Sequence, residues 1–286
     1  MHSLKFYLFI LFFIVPTLLF SQPELKNVVY AKTEQRDLLL DIYLPARQAS
    51  PYLVIWIHGG AWHSGSKENP PMGLVKLGYA MASIDYRLSV EAPMPAMMHD
   101  IKAAIRFLKG NAKKYGYRTD QFIIWGSSAG GHLAALVGTT NGSKELEGTL
   151  GDYKNQSSDV SVVIDFYGPT NFMTILQQST PHGISVRAPA LALLLGKPLE
   201  QVPDLAKLTS PVYQVDPTDP PLFIAHGDQD VQVPVNQSLE LKAAYEKNKL
   251  KVQLEIVGGA GHGSEDYYTD SFLKKVDEFI RSSLNK

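Results

Sequence analysis

A serine at the centre of a Gly-x-Ser-x-Gly run is the first feature of this chain with a chemistry to suggest. In Gly126-Ser127-Ser128-Ala129-Gly130 the central place belongs to Ser128, which leaves Ser127 as a packing residue. The apolar run QFIIW (121–125) ends directly before Gly126, and an Ala/Leu-rich helical stretch begins at Ala129. A strand-to-helix turn this tight strains the backbone, needs small neighbours and lifts the hydroxyl above a sheet. That is the setting of a nucleophile for acyl transfer. The competing reading, a Gly-rich helix start that cradles phosphate, lacks the lysine of a P-loop.

A serine hydroxyl at neutral pH needs a base to activate it, and eight histidines are available. With a nucleophile on such an elbow the chain order is serine, then acid, then histidine, the last two on loops after late strands. His262, in Gly259-Ala260-Gly261-His262-Gly263 after the run VQLEIV (252–257), fits that order. His226 follows a strand but precedes the acid, so the order excludes it as base. His132 lies one turn beyond Ser128 on the same helix and is expected to pack or hydrogen-bond locally. For the acid, Asp228 and Asp230 both follow the run PLFIA (221–225). Asp228, directly after Gly227, is suited to hold the turn; Asp230 is assigned the task of orienting the imidazole and stabilising its cation, partly on the resemblance given below.

The oxyanion of such a reaction requires N–H donors already in place, each worth roughly 2.7–4 kcal/mol of transition-state stabilisation. Ala129, next to the nucleophile, supplies one. The other is expected from His58-Gly59-Gly60-Ala61-Trp62, the loop after LVIWI (53–57), with Gly60 and Ala61 as preferred donors. His58 and Trp62 would brace that loop, and Trp62 is also a candidate for lining the substrate pocket. There is no HExxH, no paired His/carboxylate spacing and no GxGxxG after a strand. Neither metal nor cofactor is expected.

These residues must be carried by a framework, and the chain alternates β-rich and helical stretches. Strands are expected at 26–30, 37–44, 53–57, 79–84, 121–125, 161–166, 221–225 and 252–257. From 53 onward they read as apolar on both faces. The second alternates, with Leu38, Leu40, Ile42 and Leu44 on one side, and suits an antiparallel pair ahead of the parallel part. Helices are expected at 71–77, 96–115, 129–139, 235–248 and 265–284. This order implies a mainly parallel eight-stranded α/β sheet covered by helices on both sides. Residues 141–159 read as a polar surface loop. Residues 168–215, Pro-interrupted and with a helical patch at Ala190–Leu195, read as a small cap inserted over the sheet.

The 286 residues suffice for one large domain, 22–286, once an N-terminal leader is set aside. Lys5 precedes the uncharged run Phe6–Phe20, and Ser21 follows: a signal peptide at 1–21, cut after Ser21. The run is shorter than the roughly 20 residues of a spanning helix, and Pro16 interrupts it. Hence the expectation is a secreted or periplasmic protein with no membrane attachment after cleavage. A formal net charge of −1 gives no electrostatic reason to expect nucleic acid as partner. The absence of cysteine excludes disulfides, thiolate metal sites and the lipid-attachment residue of bacterial lipoproteins.

Together, His58-Gly59-Gly60-Ala61-Trp62, Asp85-Tyr86-Arg87-Leu88, Gly126 through Leu133, Asp165-Phe166-Tyr167-Gly168-Pro169 and His226-Gly227-Asp228-Gln229-Asp230 through Val233-Pro234 resemble the α/β-hydrolase esterases related to hormone-sensitive lipase. The nearest group is the bacterial bifunctional feruloyl and acetyl-xylan esterases, and the resemblance spans about residues 30 to 284. It implies an α/β-hydrolase fold with Ser128, Asp230 and His262 as triad. One departure is Ala61, where related esterases often carry a third glycine; another is the exported N-terminus. The implied activity is a secreted serine carboxylesterase acting through an acyl-enzyme on small or polysaccharide-linked esters, acetyl or feruloyl esters of hemicellulose among them. The rivals are an arylformamidase, a general short-chain esterase or lipase, and a silent binding protein of the same fold. The sequence does not set the oligomeric state.

Overall fold

A computed structural model describes residues 25–46 and 51–284. The expected signal segment, 1–21, lies outside the described residues. Among the described residues, eight strands form one sheet in the order β1-β2-β4-β3-β5-β6-β7-β8. They are β1 (Leu25–Lys32), β2 (Asp37–Tyr43), β3 (Leu53–Ile57), β4 (Ala80–Ile84), β5 (Phe122–Ser127), β6 (Val162–Phe166), β7 (Leu222–Gly227) and β8 (Val252–Val257). β1 pairs antiparallel with β2, and β2 antiparallel with β4; every other pairing is parallel. This is the mainly parallel α/β sheet expected.

Burial explains the patterns. β3, β4, β5 and β6 are buried at every position, because helices cover both faces. β8 is only half-buried; it is an edge strand, and Gln253 and Glu255 in it are tolerated for that reason. In β2, Leu38, Leu40 and Ile42 are fully buried as the alternation required, but Asp41 on the opposite face is buried too, where it pairs with Lys67 at 3.0 Å.

The helices are α1 (Gly73–Lys76), α2 (Ala96–Tyr115), α3 (Ala129–Gly138), α4 (Phe172–Gln178), α5 (Pro181–Leu195), α6 (Pro203–Leu208), α7 (Asn236–Lys247) and α8 (Asp270–Leu284). α2 stops at Gly116, whose left-handed φ of 84° a side chain would resist. All ten residues of α3 are buried, as an Ala/Leu/Gly helix against two strands should be. The single helix read over 265–284 divides instead into a 3-10 turn, Glu265–Tyr268, and α8. The break falls at Thr269, whose backbone is extended and whose hydroxyl accepts from Phe272 N–H at 3.3 Å.

Between β6 and β7 lie α4, α5, α6 and two 3-10 turns. The patch expected at Ala190–Leu195 is the end of a longer helix, α5. Thr180 caps it by accepting from Gly183 N–H at 3.1 Å, and Pro181 occupies its first turn. Pro189 lies inside α5 at an exposed position; having no N–H, it cannot bond the Ser185 carbonyl one turn earlier. Among the described residues no helix is long and apolar enough to cross a membrane.

Register decides where chemistry can happen. Ile57 is level with Gly126, Gly126 with Asp165, and Asp165 with Ile224. The loops that follow β3, β5, β6, β7 and β8 therefore leave the sheet side by side along its carboxyl edge.

Candidate active site

Ser128 sits in the turn between β5 and α3 at φ 54°, ψ −121°. A non-glycine residue there stores about 1–3 kcal/mol of backbone strain, held by the hydrogen bond from its N–H to the Phe166 carbonyl at 2.8 Å. The flanking glycines are required by contact: a Cβ on Gly126 would strike the Gly130 carbonyl, and one on Gly130 would strike that of Ile57. The small residues of the motif thus let α3 start directly against β3 and β5.

Three side chains converge at this turn. His262 Nδ1 lies 2.7 Å from Asp230 Oδ2, and His262 Nε2 lies 2.8 Å from Ser128 Oγ. The carboxylate can only accept, so Nδ1 carries the proton and Nε2 accepts from the serine hydroxyl. Ser128 and His262 are partly exposed, whereas the Asp230 side chain is buried completely. Its other oxygen accepts from the N–H groups of Gln232 at 2.8 Å and Val233 at 2.9 Å. Burial alone would raise the Asp230 pKa; the nearby ring N–H of His226, at 3.4 Å, and the hydrogen bonds from His262 and Val233 N–H outweigh it and hold the carboxyl well below the ordinary carboxylate range. The group is thus an anion facing an imidazole. Asp228 has the turn-holding place its position after Gly227 suggested: its Oδ1 accepts from Gly259 N–H at 2.8 Å, tying the acid loop to the loop of His262.

The second loop meets the elbow through Gly59, where a Cβ would come within 2.9 Å of the Ser127 carbonyl. Beyond it Gly60, Ala61 and Trp62 all have positive φ: 108°, 49° and 62°. The tight turn closes on Gly60 O, which accepts from His63 N–H at 3.1 Å and Ser64 N–H at 3.0 Å. The N–H groups of Gly60, Ala61 and Ala129, the three expected oxyanion donors, donate to no group among the described residues. They are free for a ligand.

Of the two places expected of Trp62, bracing the oxyanion loop and lining the substrate pocket, the second is corrected by the structure: its side chain is fully buried. Its indole N–H donates to His132 Nδ1 at 3.0 Å, and its ring meets those of His132 and Phe172 edge to face. His132 Nε2 in turn donates to the Thr209 carbonyl at 2.7 Å. Burial pushes the His132 pKa down to about 4, so this imidazole is a neutral bracket joining the oxyanion loop, α3 and the segment after α6. His58 braces the same loop from the other side: its ring stacks on Tyr86 at 4.3 Å, and Tyr86 O–H donates to its carbonyl at 2.9 Å.

Two neighbours escaped sequence reasoning. Tyr167, at φ 45° just after β6, sets its ring edge to face with His262 at 4.9 Å and its hydroxyl 2.9 Å from that of Tyr268. Its place at the carboxyl end of a central strand was the available signal. His226 was set aside as a base, correctly by order. Yet it is fully buried, donates from Nε2 to the Val233 carbonyl at 2.9 Å, and lies 3.4 Å from Asp230 Oδ2. Its bond to Val233 ties it to the loop of the acid. Among the described residues no cluster of His, Asp or Glu could hold a metal ion.

The fold and this constellation are those of a serine hydrolase of the α/β-hydrolase class. The chain belongs to the BD-FAE family, whose profile matches residues 40–245. Among solved structures, it resembles a truncated form of a carbohydrate esterase from gut microbiota, with a TM-score of 0.84 and 35% identity over 92% of this chain and 96% of that one. A bifunctional GH43-CE protein of Bacteroides eggerthii aligns with a TM-score of 0.77 and 32% identity over 90% of this chain and 38% of that one. Esterase LipC of Mycobacterium tuberculosis is 29% identical over 236 residues, 79% of this chain and 56% of that protein. The chain spans about half the length of the curated relatives it matches.

Proposed function

We propose that this protein is a serine carboxylesterase that works outside the cytoplasm on esters of plant polysaccharide, with acetyl or feruloyl as the acyl group. One observation carries the chemistry: a single imidazole bridges the Ser128 hydroxyl and the Asp230 carboxylate, each within 2.8 Å. His262 Nε2 takes the proton as Ser128 Oγ attacks the ester carbonyl, and Asp230 stabilises the resulting imidazolium. The carbonyl oxygen, now an anion, meets the free N–H of Ala129 and those of Gly60 and Ala61. The alcohol leaves with the proton held on His262 Nε2. Water, deprotonated by the same imidazole, then cleaves the acyl-enzyme and returns the proton to Ser128.

The carbohydrate-esterase likeness supports the polysaccharide part of this reading, and the charged start and apolar run at residues 5–20 support export. The test is a panel of acetyl-xylan, methyl ferulate, N-formylkynurenine and p-nitrophenyl esters of increasing chain length. Acetyl-xylan or methyl ferulate should give the highest kcat/KM. A maximum at N-formylkynurenine or at long acyl chains would displace the polysaccharide reading.

A further inference from the structure

Helix α5, between β6 and β7, carries a guanidinium that no carboxylate hydrogen-bonds among the described residues. Arg187 on α5 is 1% exposed, among the largest fully buried side chains of the protein. Its Nε donates to the Gln232 carbonyl at 3.3 Å, two residues past Asp230, and its guanidinium carbon lies 6.0 Å from the centre of the Trp62 ring. Arg187 is therefore wedged between the loop that carries the acid and the loop that carries the expected oxyanion donors. Its Nη1 is buried and has no hydrogen-bond partner among the described residues. Burial lowers its pKa, and the one carboxylate whose charge it feels is Asp230. That carboxylate is already committed to His262, Gln232 N–H and Val233 N–H. Nor does the Trp62 face, at that distance, replace a hydrogen-bonding anion.

A buried guanidinium without a paired anion is costly, and proteins seldom keep one unless something completes it. The flanking surface is apolar and open: Ile184, one turn earlier on α5, is 41% exposed, and Val231, beside Asp230, is 54% exposed. A charged donor behind an exposed apolar rim, bonded to the loop that carries Asp230, has the composition of a substrate subsite.

We propose that Arg187 is a specificity-determining residue that binds a carboxylate on the substrate, so that the preferred ester carries an acid group close to the scissile bond. This rests on the esterase reading of Ser128 and deepens it. The planar fork of Arg187 suits a carboxylate in two-point contact. The acid lies either on the acyl side, as in a dicarboxylic half-ester, or on the alcohol side, as in an ester on a uronic-acid-bearing saccharide.

Two substrate pairs separate these sources. For the acyl side, p-nitrophenyl hemisuccinate is compared with p-nitrophenyl butyrate; for the alcohol side, the acetate of a methyl glucuronoside is compared with that of a methyl glucoside. The readout is the ratio of kcat/KM, acid over neutral, which a general loss of folded enzyme does not move. The wild type should favour the acid by about 10–100-fold in one pair, the worth of a hydrogen bond to a charged group. Arg187→Gln should bring that ratio to about one, and Arg187→Lys, which keeps the charge but not the fork, should retain part of it. Ratios near one in both pairs for the wild type overturn the proposal without any variant, as does a preference that survives Arg187→Gln. Turnover of p-nitrophenyl acetate by the wild type distinguishes the two readings. If it is present and both ratios are near one, only this inference fails; if it is absent, the esterase reading fails and takes this one with it.

Discussion

Replacing Asp230 by Asn changes one atom and reverses the direction of one hydrogen bond. In the wild type, Asp230 Oδ1 accepts from Gln232 N–H at 2.8 Å and Val233 N–H at 2.9 Å, while Oδ2 accepts from His262 Nδ1–H at 2.7 Å. The asparagine carbonyl must keep the first position, because an amide NH2 there would face two donors. Its NH2 group then faces His262 Nδ1, which can satisfy it only as an acceptor. The imidazole proton moves to Nε2 and points at Ser128 Oγ, where a lone pair is needed to take the hydroxyl proton. Wrong-tautomer variants of such triads lose on the order of 10⁴ in kcat, about 5 kcal/mol of transition-state stabilisation. The shape of the site is unchanged, so KM for p-nitrophenyl acetate should move by no more than a few-fold. Stability falls by about 1–3 kcal/mol with the charge-assisted bonds. The assay is steady-state turnover of p-nitrophenyl acetate, with a thermal melt of each protein to show that the variant is folded at the assay temperature. A folded Asp230→Asn enzyme within tenfold of wild-type kcat would refute the assigned role of Asp230.

Trp62→Phe should retain the aromatic packing but leave His132 Nδ1 buried without its donor, now 3.0 Å away. A loss of about 1–3 kcal/mol is expected, read by urea unfolding, together with a lower kcat as the oxyanion loop loosens; an unchanged midpoint would show that the bond contributes nothing. Asp165 gives a pH prediction. It is fully buried, one oxygen accepts from Gly168 N–H at 2.9 Å, the other has no partner among the described residues, and burial raises its pKa to about 7. The unfolded carboxyl titrates near ~3.9, so between these values the folded state holds the extra proton. The stability this group contributes is complete below the lower value and is lost as pH rises through about 7. The loss is on the order of 4 kcal/mol at most. Asp165→Asn, which mimics the protonated form, should be more stable than wild type at pH 8 and little different at pH 4, by thermal melts across that range. Part of the wild-type slope should remain, since burial also raises Asp219 to about 7.

The framework was legible because burial on both faces leaves an unambiguous mark. LVIWI, QFIIW and PLFIA cannot be solvent-facing strands, and each ends at a loop of the site. Ser128, His262 and Asp230 stood out because strand, turn and chain order constrain them jointly. What the sequence hid depends on contacts between segments distant along the chain. Trp62 reads as a brace of its loop, with the pocket wall still open to it, until His132, seventy residues on, is known to accept from it. Thr269 ends one helical turn and caps the next through a single hydroxyl, which periodicity over 265–284 does not register. Arg187 carries no local signal at all: a charged residue within a helix is ordinarily a solvated one, and only the closeness of Trp62 and Gln232 shows that it is buried.

The account stands on Ser128 as nucleophile, and Ser128→Ala tests it most directly. The variant removes only the oxygen that donates to His262 Nε2 at 2.8 Å, leaving the elbow and the oxyanion donors in place. Turnover of p-nitrophenyl acetate should fall by about 10⁶ in kcat, with the melting curve retained and labelling by a fluorophosphonate abolished. Activity within tenfold of wild type, or fluorophosphonate labelling that persists in Ser128→Ala, would contradict it.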